Sequence, residues 1–133
     1  MKVILIIIIA VLVIGALFIL LLVKSLSAVT QGPSEAEIIG TINSALGHKI
    51  GPEYELISSD YNWMPDAVTK VVIKVPDSRF EELLELCKDS AEYDTDTEML
   101  IQHEYYNSGV PVHVESVRLD KLGKTIHFHS YNC

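Results

Sequence analysis

The chain has 133 residues, 49% of them hydrophobic, and a formal charge of −8. Without the apolar run near its amino terminus roughly 100 residues remain, enough for one small domain but not for two good cores, which excludes a multidomain enzyme, a repeat array and a polytopic transporter. Lys2 and Lys24 flank that run, so the remainder carries eight Lys and Arg against 18 Asp and Glu, and its charge of −10 argues against nucleic acid as a partner.

Val3 to Val23 form the run, twenty-one residues that are all apolar or Gly. As a helix rising about 1.5 Å per residue they reach roughly 31 Å, matching a hydrocarbon core of about 30 Å. Lys2 and Lys24 sit where their ammonium groups can reach both interfaces. A cleaved signal peptide is the alternative, with small residues at Ser25-Leu26-Ser27, but its apolar region normally runs only about 7–15 residues. The sequence therefore predicts a retained single-pass anchor over residues 1–24. Gly15 is the only glycine in the span, so no GxxxG contact supports a dimer through it. Lys2 and the α-amine on one flank, against Lys24 on the other, predict a cytoplasmic amino terminus and an extracytoplasmic domain.

Ser25 to Pro33 reads as a polar tether. Ser34 and Glu37 have capping-box spacing, and Ile38, Ile39, Ile42, Ala45 and Leu46 follow at helical intervals up to Gly47. Tyr54–Tyr61 and Thr69–Val75 read as strands about a loop containing Asn62, Pro65 and Asp66. In the second strand Val71, Ile73 and Val75 face one way and Lys70 and Lys74 the other. Pro76-Asp77-Ser78 opens a second helix, with Ser78 and Glu81 at capping-box spacing and a stripe of Phe80, Leu83, Leu84 and Cys87. Asp89 to Thr97 is an acidic connection. Met99–Tyr106, Pro111–Leu119 and Lys124–Tyr131 are strands, the first two joined at Asn107-Ser108-Gly109. Pairing Leu119 with Lys124 sets Val117 against Ile126 and gathers Leu119 and Phe128 on the same face. Val112 and Val114 then fall on the wrong face, which predicts a bulge near Glu115-Ser116. The expected fold is α+β, two helices on an antiparallel sheet of about five strands. Residues 34–133 make up the domain.

Candidate chemistry is sparse. His127 and His129 share a strand face, and the predicted registers set His129 opposite Val114 and Val114 opposite His103. Such a face could hold one Zn²⁺ on three imidazoles. Without those registers the same residues form a solvated outer face, and no metal or other cofactor is expected. Asp94, Asp96 and Glu98 begin like a calcium loop, but Met99 and Tyr105 stand where Gly and Glu are needed. Tyr61, Trp63 and Met64 place the only Trp in a hairpin loop, as a lid on the core edge or an anchor for a partner or the bilayer surface. Partner contact is accordingly assigned to Tyr61, Trp63, Met64, Asp94 and Asp96.

No G-x-S-x-G, phosphate-binding Gly loop or HExxH occurs. Cys87 falls on an apolar helix stripe beside Glu85 and Asp89, where a thiol is a small hydrophobe with a raised pKa. A bridge to Cys133 would close a loop of roughly 47 residues. The resulting expectation is a membrane-anchored, non-catalytic binding module with a protein partner. A secreted acidic inhibitor or immunity-type protein after cleavage, and a metal-binding protein built on the three histidines, are the alternatives.

Overall fold

The computed structural model describes residues 1–63 and 66–133, with the side chains of 28–31 excepted. Two compact units divide at Gly32. The first is one helix, α1 (Lys2–Gln31), whose stretch Lys2–Ser27 has a mean hydropathy of 3.6 and is long and apolar enough to cross a membrane. The helix runs through most of the segment predicted as a tether. Ser25 to Gln31 contain no Gly or Pro, and extending a helix that already exists adds one hydrogen bond per residue without a new nucleus. Gly32, at φ 72°, and Pro33 end it, so the tether shrinks to Gly32, Pro33 and Ser34.

The second unit is α+β. Its elements are α2 (Glu35–Leu46), β1 (Glu55–Asn62), β2 (Val68–Lys74), α3 (Asp77–Cys87), β3 (Tyr93–Asp94), β4 (Glu98–Asn107), β5 (Val110–Asp120) and β6 (Thr125–Asn132). The strands form one antiparallel sheet in the order β1-β2-β6-β5-β4-β3. The sixth strand, β3, is two residues within the predicted acidic connection, pairing Tyr93 with Leu100 and Asp94 with Met99.

Sequence signals explain both helices of the domain. At α2 the Glu37 amide donates to Ser34 Oγ (3.3 Å) and the Ser34 amide to Glu37 Oε2 (2.8 Å), the expected capping box, and Gly47 closes the other end at φ 69°. Helix α3 differs. Pro76 is its cap residue, its carbonyl accepting from Phe80 N at 3.0 Å, and Ser78 lies inside the first turn without a side-chain cap bond. Pro76, with φ fixed near the value a helix start needs, sets the boundary earlier than the Ser78–Glu81 spacing predicted.

Both helices bury their stripes on one face of the sheet. Ile38, Ile42, Ala45 and Leu46 of α2 and Phe80, Leu83 and Cys87 of α3 meet Val71, Ile73, Met99, Ile101, Val117, Leu119, Ile126 and Phe128, all buried. Leu84 is only partly buried. Cys87 Sγ donates to the Leu46 carbonyl at 3.7 Å, and both cysteines are free thiols.

Two registers depart from expectation. Beyond the tight turn at Ser108 and Gly109, both at positive φ, Asn107 pairs with Val110 and Tyr106 with Pro111. The ladder then slips by one residue, leaving Val112 as the extra residue, so the bulge sits there and not at Glu115-Ser116. In β5–β6 the pairing is Leu119 with Ile126 and Val117 with Phe128, two residues from the predicted register. Asp120 holds the closing loop, its Oδ1 accepting from the amides of Leu122 (3.1 Å) and Gly123 (3.3 Å).

Candidate functional site

Among the described residues no helix of the domain covers the opposite face of the sheet. Strand alternation and the observed registers arrange its side chains in cross-strand rows. One runs Ser58, Val72, His127, Arg118, Leu100, and the next Asp60, Lys70, His129, Ser116, Gln102. Between these rows is an open hollow of about 430 Å³, lined by Ser58, Asp60, Lys70, Ser116, Arg118, His127 and His129 with Val72 and Leu100. Its size suits one small ligand or one side chain of a partner.

Arg118 organises one side of the hollow. Nη1 donates to Glu98 Oε2 at 3.0 Å, and Nη2 lies 3.3 Å from His127 Nδ1. A guanidinium only donates, so Nδ1 accepts and Nε2 carries the hydrogen, donating to Thr125 Oγ1 at 2.9 Å. Burial, and then the Arg118 charge, lower the His127 pKa, while Asp120 and Glu98 oppose the shift more weakly. Burial and then Lys70 lower that of His129. The Arg118 and Tyr93 hydrogen bonds hold the Glu98 carboxyl below the usual range.

The other side of the hollow is less satisfied. Lys70 is the register neighbour of Asp60 and His129, yet among the described residues it forms no ion pair. The ring nitrogens of His129 have no hydrogen-bond partner among those residues either, and its ring packs 5.4 Å from that of Tyr131.

The three histidines singled out in the sequence do not meet. Because the ladder slips at Val112, His103 pairs with Glu115 instead of Val114 and turns to the helix-covered face. There its Nε2 lies 2.9 Å from the Ala45 carbonyl at the end of α2. His127 and His129 remain on the uncovered face, with Ser116 opposite His129. Among the described residues no group of three His, Cys, Asp or Glu is placed to hold a metal ion.

The predicted partner residues also separate. Tyr61 is the penultimate residue of β1 and Trp63 follows the strand, 44% exposed, while Asp94 lies in β3 and Asp96 in the loop after it. β1 and β3 are opposite edges of the sheet, about 24 Å apart at roughly 4.8 Å per strand. Asp94 is ion-paired with Lys121 at 2.5 Å, and Asp96 is exposed. Met64 is not among the described residues.

Sequence reasoning missed a second polar cluster, on the helix-covered side of the sheet. His113 Nδ1 is 2.7 Å from Asn132 Oδ1 and Nε2 is 3.0 Å from Glu115 Oε1, while Tyr105 donates to Glu115 Oε2 at 3.3 Å. The Glu115 charge and then burial raise the Tyr105 pKa. The only signal for this cluster was the alternation of His113 and Glu115 on one strand. Its named polar atoms bond one another, which fastens the ends of β4, β5 and β6. The hollow is therefore the stronger candidate.

Comparison of the chain with protein-family models, curated proteins and solved structures gives no match.

Proposed function

We propose that this chain is a single-pass, membrane-anchored, non-catalytic binding module that engages a protein partner through the uncovered face of its sheet. The observation that carries this reading is the unequal satisfaction of the hollow. Arg118 is ion-paired and both ring nitrogens of His127 are hydrogen-bonded, whereas Lys70 has no ion pair and His129 no ring hydrogen bond among the described residues. A carboxylate side chain of a partner, seated in the hollow, would supply both. The length of α1 favours a retained anchor over a cleaved leader, whose apolar region is normally about 7–15 residues.

A photo-crosslinking residue placed at Ser58 or Ser116 in native membranes tests the reading. The expected result is one protein adduct from these positions, weakened by Lys70→Glu, and none from the same probe at Glu82 on the exposed side of α3. Equal adducts from Glu82, or none from the hollow, would refute the reading.

A further inference from the structure

His127 and His129 are alternate residues of β6 on the uncovered face, yet their surroundings are opposite. Both ring nitrogens of His127 are bonded, one to Arg118 and one to Thr125. Neither ring nitrogen of His129 has a partner among the described residues, although its side chain is partly buried in the hollow. Register fixes what faces this ring. Lys70 of β2 and Ser116 of β5 flank it in its own row, His127 and Tyr131 lie on either side along β6, and Arg118 is on the diagonal. The Ser116 hydroxyl donates to the His129 carbonyl and not to the ring. The carboxylates that the strands place on this face lie elsewhere. Asp60 is beyond Lys70, two strands from His129 and roughly 10 Å across the sheet. Glu98 is bonded by Arg118 and Tyr93, Glu104 by Gln102 and Tyr106, and Asp120 by the amides of its own loop. Glu55 sits at the sheet edge, opposite Lys74. The fold thus sets a cation beside the His129 ring and no anion.

We propose that the hollow binds a side-chain carboxylate of an acidic partner segment together with one proton from solvent, which His129 takes up, so that affinity rises as the pH falls. The inference deepens the binding reading above and rests on it. Its sign follows from charge. Without a ligand, burial and then the Lys70 ammonium disfavour the imidazolium form of His129. A carboxylate seated between Lys70 and His129 pairs with the ammonium and sets a negative charge at the ring, which favours the imidazolium. Both ring nitrogens then donate, and the one facing the ligand makes a charge-assisted hydrogen bond. The bound ring therefore keeps its proton to a higher pH than the free ring. Between those two values each complex takes up a proton, and affinity gains up to about tenfold per pH unit. Below about pH 4 the partner carboxylate is itself protonated and the gain is lost. His127 is not arranged for this step, because Arg118 and Thr125 already engage both its nitrogens.

The test uses the full chain in detergent micelles, with the ring nitrogen shifts of its histidines as the readout. The probe is the peptide acetyl-Gly-Glu-Gly-amide, and its Gln counterpart is the neutral comparison. The Glu peptide should shift the His129 ring and raise its titration midpoint, with half-saturation at least about threefold lower at about pH 5.5 than at about pH 7.5. The Gln peptide should do neither. In His129→Asn, binding followed by the Lys70 and Ser116 amide shifts should be weaker and independent of pH over that range. Slow labelling of Cys87 shows that this variant is folded. Lys70→Gln should weaken binding at both pH values and keep the pH dependence, because the proton resides on His129. Glu-peptide binding in the hollow with equal half-saturation at the two pH values would overturn the proton uptake and leave the binding reading standing. A pH dependence that survives His129→Asn would assign the proton to another group, against the proposal. No shift of the hollow residues at either pH would overturn the carboxylate site and the proton uptake together.

Discussion

At His103 the ring nitrogen Nε2 donates to the carbonyl of Ala45, one of the acceptors that the end of α2 leaves without an intrahelical partner. His103→Ala should therefore cost about 1 kcal/mol, read as a lower urea midpoint with an unchanged slope. His127 and His129 act differently, because both are held below the ordinary histidine range, chiefly by burial. In the unfolded chain they titrate near 6.5. Below that value, and down to the lower folded one, the unfolded chain binds protons that the folded domain does not. Stability is thus full above about pH 7 and falls as the pH drops through the window below about 6.5. Glu98 is depressed as a carboxylate, so its contribution also falls with pH, but only below the usual carboxylate range. Replacing His127 and His129 together by Asn should flatten the decline between about pH 7 and 5 in urea titrations. An unchanged slope would show that neither ring is held neutral by the fold. Cys87 lies in the core and burial raises its thiol pKa, so it should label slowly in the native domain and quickly once unfolded.

Elements test the packing. Leu83 is fully buried between α3 and the sheet, and Leu83→Ala should cost roughly 2–5 kcal/mol, a large part of the 5–15 kcal/mol that domains of this kind have. Leu84 is only partly buried, so its truncation should cost less than that of Leu83. The caps give a matched pair. Ser34→Ala removes a hydroxyl that the Glu37 amide uses and should cost about 0.5–2 kcal/mol. Ser78→Ala removes one that no amide uses and should change stability by less than about 0.5 kcal/mol. Thermal melts of the four variants check the ordering, and a Ser78→Ala loss equal to that of Ser34→Ala would contradict the cap assignment. The same contrast shows how much a local pattern carries. Ser34 and Ser78 each precede a Glu by three residues, and only the second competes with a proline that already fixes the start of its helix.

For the molecule as a whole, a retained α1 predicts that carbonate-washed membranes keep the chain and that its amino terminus begins before the apolar run. A soluble species beginning near Ala28 would mean that α1 is a leader. Sequence alone determined the apolar run, the helix stripes and the strand alternation, because periods of 3.6 and 2 are local and are written directly into the order of residues. It could not determine registers. Pairing Leu119 with Lys124 or with Ile126 keeps Val117, Leu119, Ile126 and Phe128 on one face, since a shift of two residues leaves the alternation intact. What separates the two is the Asp120 side chain bonding the Leu122 and Gly123 amides, a contact that exists only once the loop has closed. A shift of one residue has the opposite effect, and the extra residue at Val112 turns His103 away from His127 and His129. The rows that set Lys70 beside His129 and Arg118 beside His127 are products of those registers. Tertiary structure alone decided them, because a cross-strand neighbour is fixed by where two distant segments align and not by the period of either.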